Sequence, residues 1–507
     1  MRKKSANCLW VTNSPTRPLL LEVKNHPNST PHTSPLPYRA MPIPNKEAIS
    51  HPQHSAPTKR FYSAMDLFAG CGGLSLGLEN AGFTPIFVNE LNEDALATYL
   101  MNRHHTLGGL KFSDNANLRC NDAHELDNNR LARLKSDLEN IPEANISFNN
   151  PKTPKNGGGG TLDIIAGGPP CQGFSGIGHR RSYSVDKEQL PSNLLYARMA
   201  EIIRNLRPRI FLFENVRGLL NSKWTKCGNV RVWPDVLNAF RRIPGYEVRW
   251  KLVYAKDYGI PQNRPRVLLV GLRKDIIKNN PKLDPKADRD DAVRCGFLPQ
   301  GKNTPPPDLV DLLGDLVDPS IMEYLRSGNY PAGVFASNEY SKAPETEVQK
   351  ALRRPAPFML PDAIVGLTEQ QYSKHNPLVV EKFRHMIETK GEIPIQFKTK
   401  KFAQRALPER WGPLGPTITA TSMPDDYVHY SQPRVLTVRE WARLQLFPDW
   451  YAFSGKRTTG GIRRAGNPVA GIYEREVPKY TQIGNAVPVG LAEYIGLHFK
   501  SILDAAI

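Results

Sequence analysis

The chain has 507 residues, with 67 Lys and Arg against 49 Asp and Glu, and a formal net charge of +18. No apolar run approaches the roughly 20 residues that cross a bilayer, so the composition excludes a membrane span. The six cysteines form no CxxC pair and no metal-ligand spacing, which excludes a zinc or disulfide scaffold and suits a reducing cytoplasm. The surplus of positive charge favours a polyanionic partner.

Residues 1–60 differ in composition from the rest of the chain. They hold ten prolines, nine basic residues and two acids, without apolar periodicity. Such a stretch cannot bury enough surface to offset its ordering entropy. We therefore expect a disordered, Pro-rich basic extension. A non-native stretch ahead of a later start, at Met41 or Met65, is the alternative.

Short apolar strands alternate with helices from Tyr62 onward. The sequence predicts a helix at Asp94–Arg103 and strands at Tyr62–Phe68, Pro85–Glu90, Asp163–Gly167, Ile210–Glu214 and Val267–Gly271. Strands that alternate with helices are typical of a parallel sheet covered on both faces. We therefore predict an α/β fold with a doubly wound, mostly parallel sheet.

The regular pattern is interrupted once and then returns. Residues 61–275 form the predicted α/β body, whereas residues 276–430 are rich in Pro, Asn and charge and predict a smaller, irregular inserted domain. Residues 431–507 return to the α/β body. Helical patterns in the second half of the chain occur at Pro377–Thr389, Thr437–Phe447 and Leu491–Ile502.

A glycine-rich turn follows the first strand, in the segment Asp66–Leu74. Glycines let a ligand approach the backbone, and the following helix offers free N–H groups. A dinucleotide site needs glycine where Ser75 stands, so a nicotinamide cofactor fits poorly. Glu90 ends the second strand and Asp122 follows a third, weaker one. Each acid alone is more often a surface carboxylate or a cap; at successive strand ends they predict an adenosine cofactor.

A cysteine stands in the segment Ala166–Ser175. A cysteine is by default a small buried hydrophobe. Here, however, a strand delivers Cys171 onto a Pro-stiffened, Gly-flanked loop at the sheet edge where doubly wound folds place their chemistry. We therefore predict that Cys171 is a nucleophile, provided that its surroundings stabilise the thiolate.

An acid and two arginines accompany this loop. Glu214 ends a buried apolar strand, where a carboxyl group is costly unless it is paired or used in proton transfer. Arg264 and Arg266 precede the strand Val267–Gly271, and alternation sends both side chains to one side. Arginine forks suit a phosphate, a carboxylate or a base carbonyl. A surface salt bridge is the ordinary alternative for each.

This ordered set of segments resembles the DNA (cytosine-5)-methyltransferases of bacterial type, over residues 62–275 and 416–500. Their S-adenosylmethionine motifs match Asp66–Leu74, Glu90 and Asp122, their nucleophile motif matches Pro170–Gln172, and their acid motif matches Glu214–Val216. Their Gln-x-Arg-x-Arg motif matches Gln262–Arg266. The ninth motif matches Arg434–Gln445, and the last matches Gln482–Pro488. Two connections are longer than is usual in the family, at Gly157–Gly160 and Gly455–Lys479.

The resemblance implies S-adenosylmethionine as methyl donor and no metal. Cys171 would add to C6 of a flipped-out cytosine, Glu214 would engage N3 and the amine, and Arg266 with Arg264 would hold the ring carbonyl and the loop. The implied cofactor-binding residues are Phe68, Gly70, Gly72, Gly73, Leu74, Glu90, Asp122, Pro170, Leu195, Asn485 and Val487.

The resemblance also bears on partners. It implies double-stranded DNA as substrate, target recognition by residues 276–430 and a cytoplasmic monomer, and it leaves open whether a cognate restriction endonuclease accompanies the enzyme. A tRNA cytosine-5 methyltransferase is the first alternative, but that branch typically carries a Cys-Phe-Thr segment, which is absent here. A non-catalytic DNA-binding relative is the second, and intact Cys171, Glu214 and Arg266 disfavour it. Amino-methyltransferases usually carry a Pro-Pro-Tyr/Phe motif where this chain has Pro170-Cys171-Gln172.

Overall fold

The computed structural model describes residues 60–148, 162–170, 194–224, 230–302, 304–398, 404–413, 415–418, 424–459 and 476–506. Four sequence predictions lie outside these residues: the extension before Arg60, the Gly157–Gly160 insert, most of the 455–479 connection, and Cys171 itself.

The described residues contain eleven strands. They are β1 (Tyr62–Leu67), β2 (Phe83–Asn89), β3 (Thr106–Leu107), β4 (Leu110–Lys111), β5 (Arg119–Cys120), β6 (Ile164–Gly167), β7 (Ile210–Val216), β8 (Tyr246–Tyr254), β9 (Pro265–Arg273), β10 (Arg405–Ala406) and β11 (Tyr427–Val428).

Thirteen α-helices accompany them in the same residues. They are α1 (Gly73–Asn80), α2 (Glu93–Met101), α3 (Asn128–Glu139), α4 (Leu195–Leu206), α5 (Val232–Arg241), α6 (Lys274–Lys278), α7 (Leu309–Leu313), α8 (Met322–Ser327), α9 (Glu347–Leu352), α10 (Pro377–Glu388), α11 (Val438–Leu444), α12 (Lys479–Asn485) and α13 (Val489–Ala505). None of these helices is long and apolar enough to cross a membrane.

Seven strands form one central sheet, in the order β5-β2-β1-β6-β7-β9-β8. Neighbours from β5 to β7 pair in parallel, whereas β9 runs antiparallel to both β7 and β8. The prediction of a mostly parallel, doubly wound sheet is therefore confirmed. The reversed direction of β9 was not predictable, because an apolar run does not encode the direction of its strand.

Both faces of the sheet are covered, which explains why the central strands read as continuous apolar runs. Met65, Leu67 and Ile165 belong to a buried cluster on one face, and Ala64 and Ile164 belong to a second cluster on the other. The alternation along β1 and β6 thus divides one strand between two cores.

The end of the chain packs beside its first helix. A Cβ atom added to Gly77 of α1 would lie 2.5 Å from the Val489 carbonyl oxygen at the start of α13. Only glycine permits this approach. The closing helix expected at Leu491–Ile502 is therefore present as α13, and it brings the last motif next to the first.

The segment 276–430 has little regular structure, as its composition indicates. After the end of α6, its described residues contain four helices (α7 to α10) and the two-stranded pair β10-β11. The helix predicted at Pro377–Thr389 is confirmed as α10. The assignment of this segment to target recognition stays a prediction.

Candidate active site

Residues 68–73, here called the glycine loop, connect β1 to α1. Phe68, Gly70 and Gly72 have φ angles of 55°, 56° and 84°, in the left-handed region. A Cβ atom on Gly70 would meet nothing within 4 Å, so the loop is open on that side. On Gly72 it would lie 2.9 Å from three side chains, including that of Arg103. The loop is therefore packed against protein side chains at Gly72 and accessible at Gly70.

Glu90 follows β2 and closes onto the glycine loop. Its Oε2 accepts a hydrogen bond from the Gly70 amide at 2.8 Å, and its Oε1 accepts one from the Asn92 amide at 2.8 Å. Burial raises the pKa of Glu90, and these amide donors oppose the shift. These bonds hold Glu90 at the edge of the loop, and its role in cofactor binding stays a prediction.

Asp122 lies beyond the end of β5, one strand further along the sheet. Its Oδ1 accepts from the His124 amide at 2.9 Å and so caps a short 3₁₀ turn. Arg198 of α4 donates to the His124 carbonyl at 2.8 Å. Leu195, the first residue of that helix, therefore lies on an element that packs against the Asp122 turn.

The last motif contacts the glycine loop directly. A Cβ atom on Gly73 would lie 2.5 Å from the Val487 carbonyl oxygen. Asn485, two residues earlier, ends α12 with an exposed side chain, whereas the Leu74 side chain is buried in the core. The fold thus brings Val487 to the loop, and Leu74 can reach a ligand only through its backbone.

Asn89 is a loop-holding residue that sequence reasoning missed. Its Oδ1 accepts from the Phe68 amide at 3.3 Å, and its Nδ2 donates to the carbonyls of Cys120 at 3.0 Å and Asn121 at 2.9 Å. Asn89, the last residue of β2, therefore hydrogen-bonds to the ends of both β1 and β5. The available signal was a buried amide at the end of an apolar strand, next to the more obvious Glu90.

The acid and one arginine meet at the neighbouring part of the same edge. Glu214 is buried near the end of β7 and forms an ion pair with Arg266, near the start of β9. Because β9 is antiparallel, its start lies beside the end of β7, with Val216 opposite Arg266. The reversal of β9 therefore places the guanidinium next to the carboxylate.

The loop that leads to Cys171 packs on this pair. A Cβ atom on Gly168 would lie 2.7 Å from Oε2 of Glu214, so a larger residue there would displace the Glu214 carboxylate. Asn215 donates from Nδ2 to the Pro169 carbonyl at 3.0 Å. Pro170 ends the described part of this loop, and Cys171 is the next residue in the chain. The segment before Cys171 is therefore anchored beside Glu214.

Arg264 is held differently from Arg266. Its guanidinium donates to the backbone carbonyls of Gly484, at 2.6 Å, and of Ile418. It thus joins the end of α12 to the segment 415–418. Burial lowers the pKa of both arginines, but a guanidinium stays charged near neutral pH. The structure brings Arg266 to Glu214 and engages Arg264 with backbone carbonyls.

Cys71, in the glycine loop, is the thiol that could be confused with the predicted nucleophile. It is 1% exposed, and its Sγ lies 3.5 Å from the Gln482 carbonyl. Burial raises the pKa of this thiol to about 12. A protonated, buried thiol is inert at neutral pH.

Asp66, near the end of β1, has a carboxylate that is 3% exposed. Burial raises its pKa from 3.8 to about 7, and the attraction of Arg103 and a hydrogen bond from Ser75 oppose this shift. The unfolded chain loses this proton near pH 4, so the contribution of Asp66 to the free energy of unfolding is most favourable below that pH. This contribution falls as the pH rises toward 7, because the folded chain keeps the proton until then.

We therefore expect Asp66→Asn, which carries no charge at any pH, to become progressively more stable than the wild type between about pH 4 and 7. The difference in the free energy of unfolding between the variant and the wild type should reach about 4 kcal/mol and stay constant above pH 7. Thermal unfolding of both proteins at pH 5 and pH 8 measures it. A difference that does not change with pH would contradict the raised pKa of Asp66.

Comparisons with known proteins identify the family of this chain. The family model described as C-5 cytosine-specific DNA methylase matches residues 62–501. The type II methyltransferase M.DdeI of Desulfomicrobium norvegicum is 28% identical over 451 residues, which cover 86% of this chain and 89% of that protein. M.NgoPII of Neisseria gonorrhoeae is 28% identical over 458 residues, which cover 89% and 99%.

A solved structure supports the fold. The crystal structure of a DNA modification methyltransferase encoded within an Escherichia coli prophage superposes with a TM-score of 0.56 and 22% identity, over 87% of this chain and 99% of that one. The family match extends over nearly all of the described residues and includes both parts of the sheet edge. The chain therefore belongs to the C-5 cytosine-specific DNA methylase family and is a DNA (cytosine-5)-methyltransferase.

Proposed function

We propose that this chain transfers the methyl group of S-adenosylmethionine to C5 of cytosine within a specific double-stranded DNA sequence, through a covalent bond between Cys171 and C6. The observation that carries this proposal is the buried Glu214–Arg266 pair, packed against Gly168 just before Cys171. An acid and an arginine fork beside the segment that leads to Cys171 match what the cytosine ring needs in order to react.

The glycine loop fits S-adenosylmethionine. It is open at Gly70, where a ligand can approach the backbone, and Glu90 at its edge can accept from ribose hydroxyls. Asp122 and Leu195, on adjoining elements, would hold the adenine, and Val487 would close the pocket from the last motif. When bound, S-adenosylmethionine supplies an electrophilic methyl group on a sulfonium.

The protein must first make C5 nucleophilic. The Cys171 thiolate would donate an electron pair to C6, forming an S–C6 bond. The C5–C6 π electrons would shift to C4–C5, and the C4–N3 π electrons would move onto N3. Glu214 would protonate or hydrogen-bond N3, which offsets the charge that develops there. Arg266, held by Glu214, would donate to the ring carbonyl, and Arg264 would hold the surrounding backbone.

The ring must then be restored. C5 would use the C4–C5 π electrons to take the methyl group, whose bond to the donor sulfonium would break and leave a neutral thioether, while C4=N3 re-forms and N3 returns its proton to Glu214. A base would then take the proton on C5, and the electrons of the C5–H bond would re-form C5=C6 as the S–C6 bond breaks. Cys171 leaves as a thiolate and is ready for another cycle. The balance requires no oxidant, reductant or metal.

The cytosine cannot be reached inside a duplex, so we propose that it is flipped out of the helix into this site. The names of the relatives M.DdeI and M.NgoPII as type II methyltransferases support a role in a restriction-modification system of the bacterial cytoplasm. Residues 276–430 would read the target sequence. The monomeric state and a partner endonuclease stay predictions.

Expression in a strain without cytosine-5 methylation, followed by bisulfite sequencing of its DNA and tRNA, tests this function. We expect protected cytosines in one DNA sequence context and none in tRNA. Nucleoside mass spectrometry should identify 5-methylcytosine, which separates this reaction from methylation of the exocyclic amine.

Cells that express the Cys171→Ser variant are the control, and their DNA should be unprotected. Methylated tRNA with unmethylated DNA would replace this proposal with the tRNA enzyme. Unmodified DNA and tRNA, with a folded protein, would favour the non-catalytic relative.

A further inference from the structure

A buried guanidinium lies beneath the glycine loop. Arg103, which follows α2, is 3% exposed, and its Nη2 is paired with Glu79 of α1 at 2.5 Å. Its Nη1 donates to the Tyr99 carbonyl at 2.6 Å, and the guanidinium stacks on the Tyr99 ring, 3.4 Å from the centroid. These contacts fix the guanidinium in place without using all of its donors.

Tyr451 connects this guanidinium to the loop backbone. Its hydroxyl accepts from Nη1 of Arg103 at 3.4 Å and donates to the Cys71 carbonyl at 2.6 Å. Cys71 precedes Gly72, which has a left-handed backbone conformation directly before α1. The chain of hydrogen bonds therefore runs from a buried charge to the peptide that sets the conformation of Gly72.

The segment that carries Tyr451 is itself anchored to α2. The Asn102 side chain bonds both backbone groups of Ala452, at 2.9 and 3.0 Å. The Ser454 amide donates to the Thr98 hydroxyl at 2.8 Å. Arg103 and Tyr451, which are 348 positions apart in the chain, are thus presented to the loop from two segments locked together.

We propose that Tyr451 and Arg103 are positioning residues that hold the glycine loop in the conformation that binds S-adenosylmethionine. They contact the loop on the side where Gly72 is packed, whereas the ligand would approach from the open side at Gly70. The inference rests on the proposed function of the loop. Its consequence is selective: affinity for the methyl donor depends on this pair, and the chemical step at Cys171 and Glu214 does not.

Tyr451→Phe keeps the buried ring and removes only the hydroxyl. We expect the KM and the Kd for S-adenosylmethionine to rise roughly five- to tenfold, the loss typical of one hydrogen bond. The kcat at saturating S-adenosylmethionine and the KM for DNA should stay within about twofold of the wild type.

Tyr246→Phe is the matched control. Tyr246 is also a buried tyrosine whose hydroxyl donates to a backbone carbonyl, that of Pro208, but it stands at the start of β8, opposite Arg273 at the end of β9. This variant loses the same kind of bond, so its thermal midpoint should fall similarly while its KM for S-adenosylmethionine stays unchanged. Equal KM changes in the two variants would overturn the positioning role, as would a wild-type KM in Tyr451→Phe.

Arg103→Lys provides a second test, also if Tyr451→Phe does not fold. Lysine keeps the charge beside Glu79 but lacks the fork that reaches Tyr451. An increase in KM for S-adenosylmethionine, without a change in kcat, supports the proposal, and a wild-type KM contradicts it.

Calorimetric titration of the wild type and of Glu90→Ala with S-adenosylmethionine tests whether the loop binds the cofactor, separately from whether Tyr451 and Arg103 position the loop. Binding that Glu90→Ala does not weaken would show that the loop is not the cofactor site, and the proposed function of the loop would fail. Binding that Glu90→Ala weakens and Tyr451→Phe does not would overturn the positioning role alone.

Discussion

Glu214→Gln should lower kcat for DNA methylation by roughly 10²–10³-fold, the usual contribution of a positioned acid together with electrostatic stabilisation. The amide cannot supply a proton to N3 and cannot hold the charge of Arg266. Because the side chains have nearly the same volume, the packing of Gly168 on this group should persist. The Kd for S-adenosylmethionine, measured by calorimetry, should therefore stay within about twofold of the wild type.

Glu247→Gln is the control for this substitution. Glu247 also lies on a strand of the central sheet and pairs with Arg249, but it stands near the start of β8, at the opposite edge from Glu214. We expect its kcat to equal that of the wild type. A Glu214→Gln enzyme with wild-type kcat would remove the acid from the mechanism.

Cys171→Ser should abolish methylation, with a loss on the order of 10⁴-fold or more. A hydroxyl is a far weaker nucleophile than a thiolate near neutral pH, and without attack at C6 the C5 position does not become reactive. Cys295→Ser is the matched control, because Cys295 is a buried core residue that bonds the Asp288 carbonyl. Radioactive methyl transfer to DNA should be normal in Cys295→Ser, and detectable activity in Cys171→Ser would contradict the nucleophile assignment.

The strand ends that carry the acids were predictable from the sequence. Apolar runs stop at Asn89 and near Glu214, and the carboxyl ends of parallel strands meet at one edge of a sheet. The antiparallel direction of β9 was not predictable, although it is what places Arg266 opposite Val216. Strand direction depends on connections and pairing partners rather than on the composition of the strand itself.

The supporting contacts of the glycine loop were also beyond sequence reasoning. Tyr451 reads as one aromatic among several near Phe447 and Phe453, and Arg103 reads as an ordinary helix-terminal charge. Their contact joins segments that are distant in the chain, and no local periodicity encodes it. Asn215 illustrates the intermediate case, since its place after Glu214 was visible but its bond to the Pro169 carbonyl was not.

Trapping on DNA that contains 5-fluorocytosine at the target position tests the central claim most directly. Fluorine cannot leave C5 as a cation, so the reaction should stop after methyl transfer with Cys171 still bonded to C6. We expect a protein–DNA complex that survives denaturation, requires S-adenosylmethionine, maps to Cys171 and is absent in Cys171→Ser. Failure of the wild type to form this complex while it methylates ordinary DNA, or an adduct mapped to Cys71, would contradict the covalent mechanism.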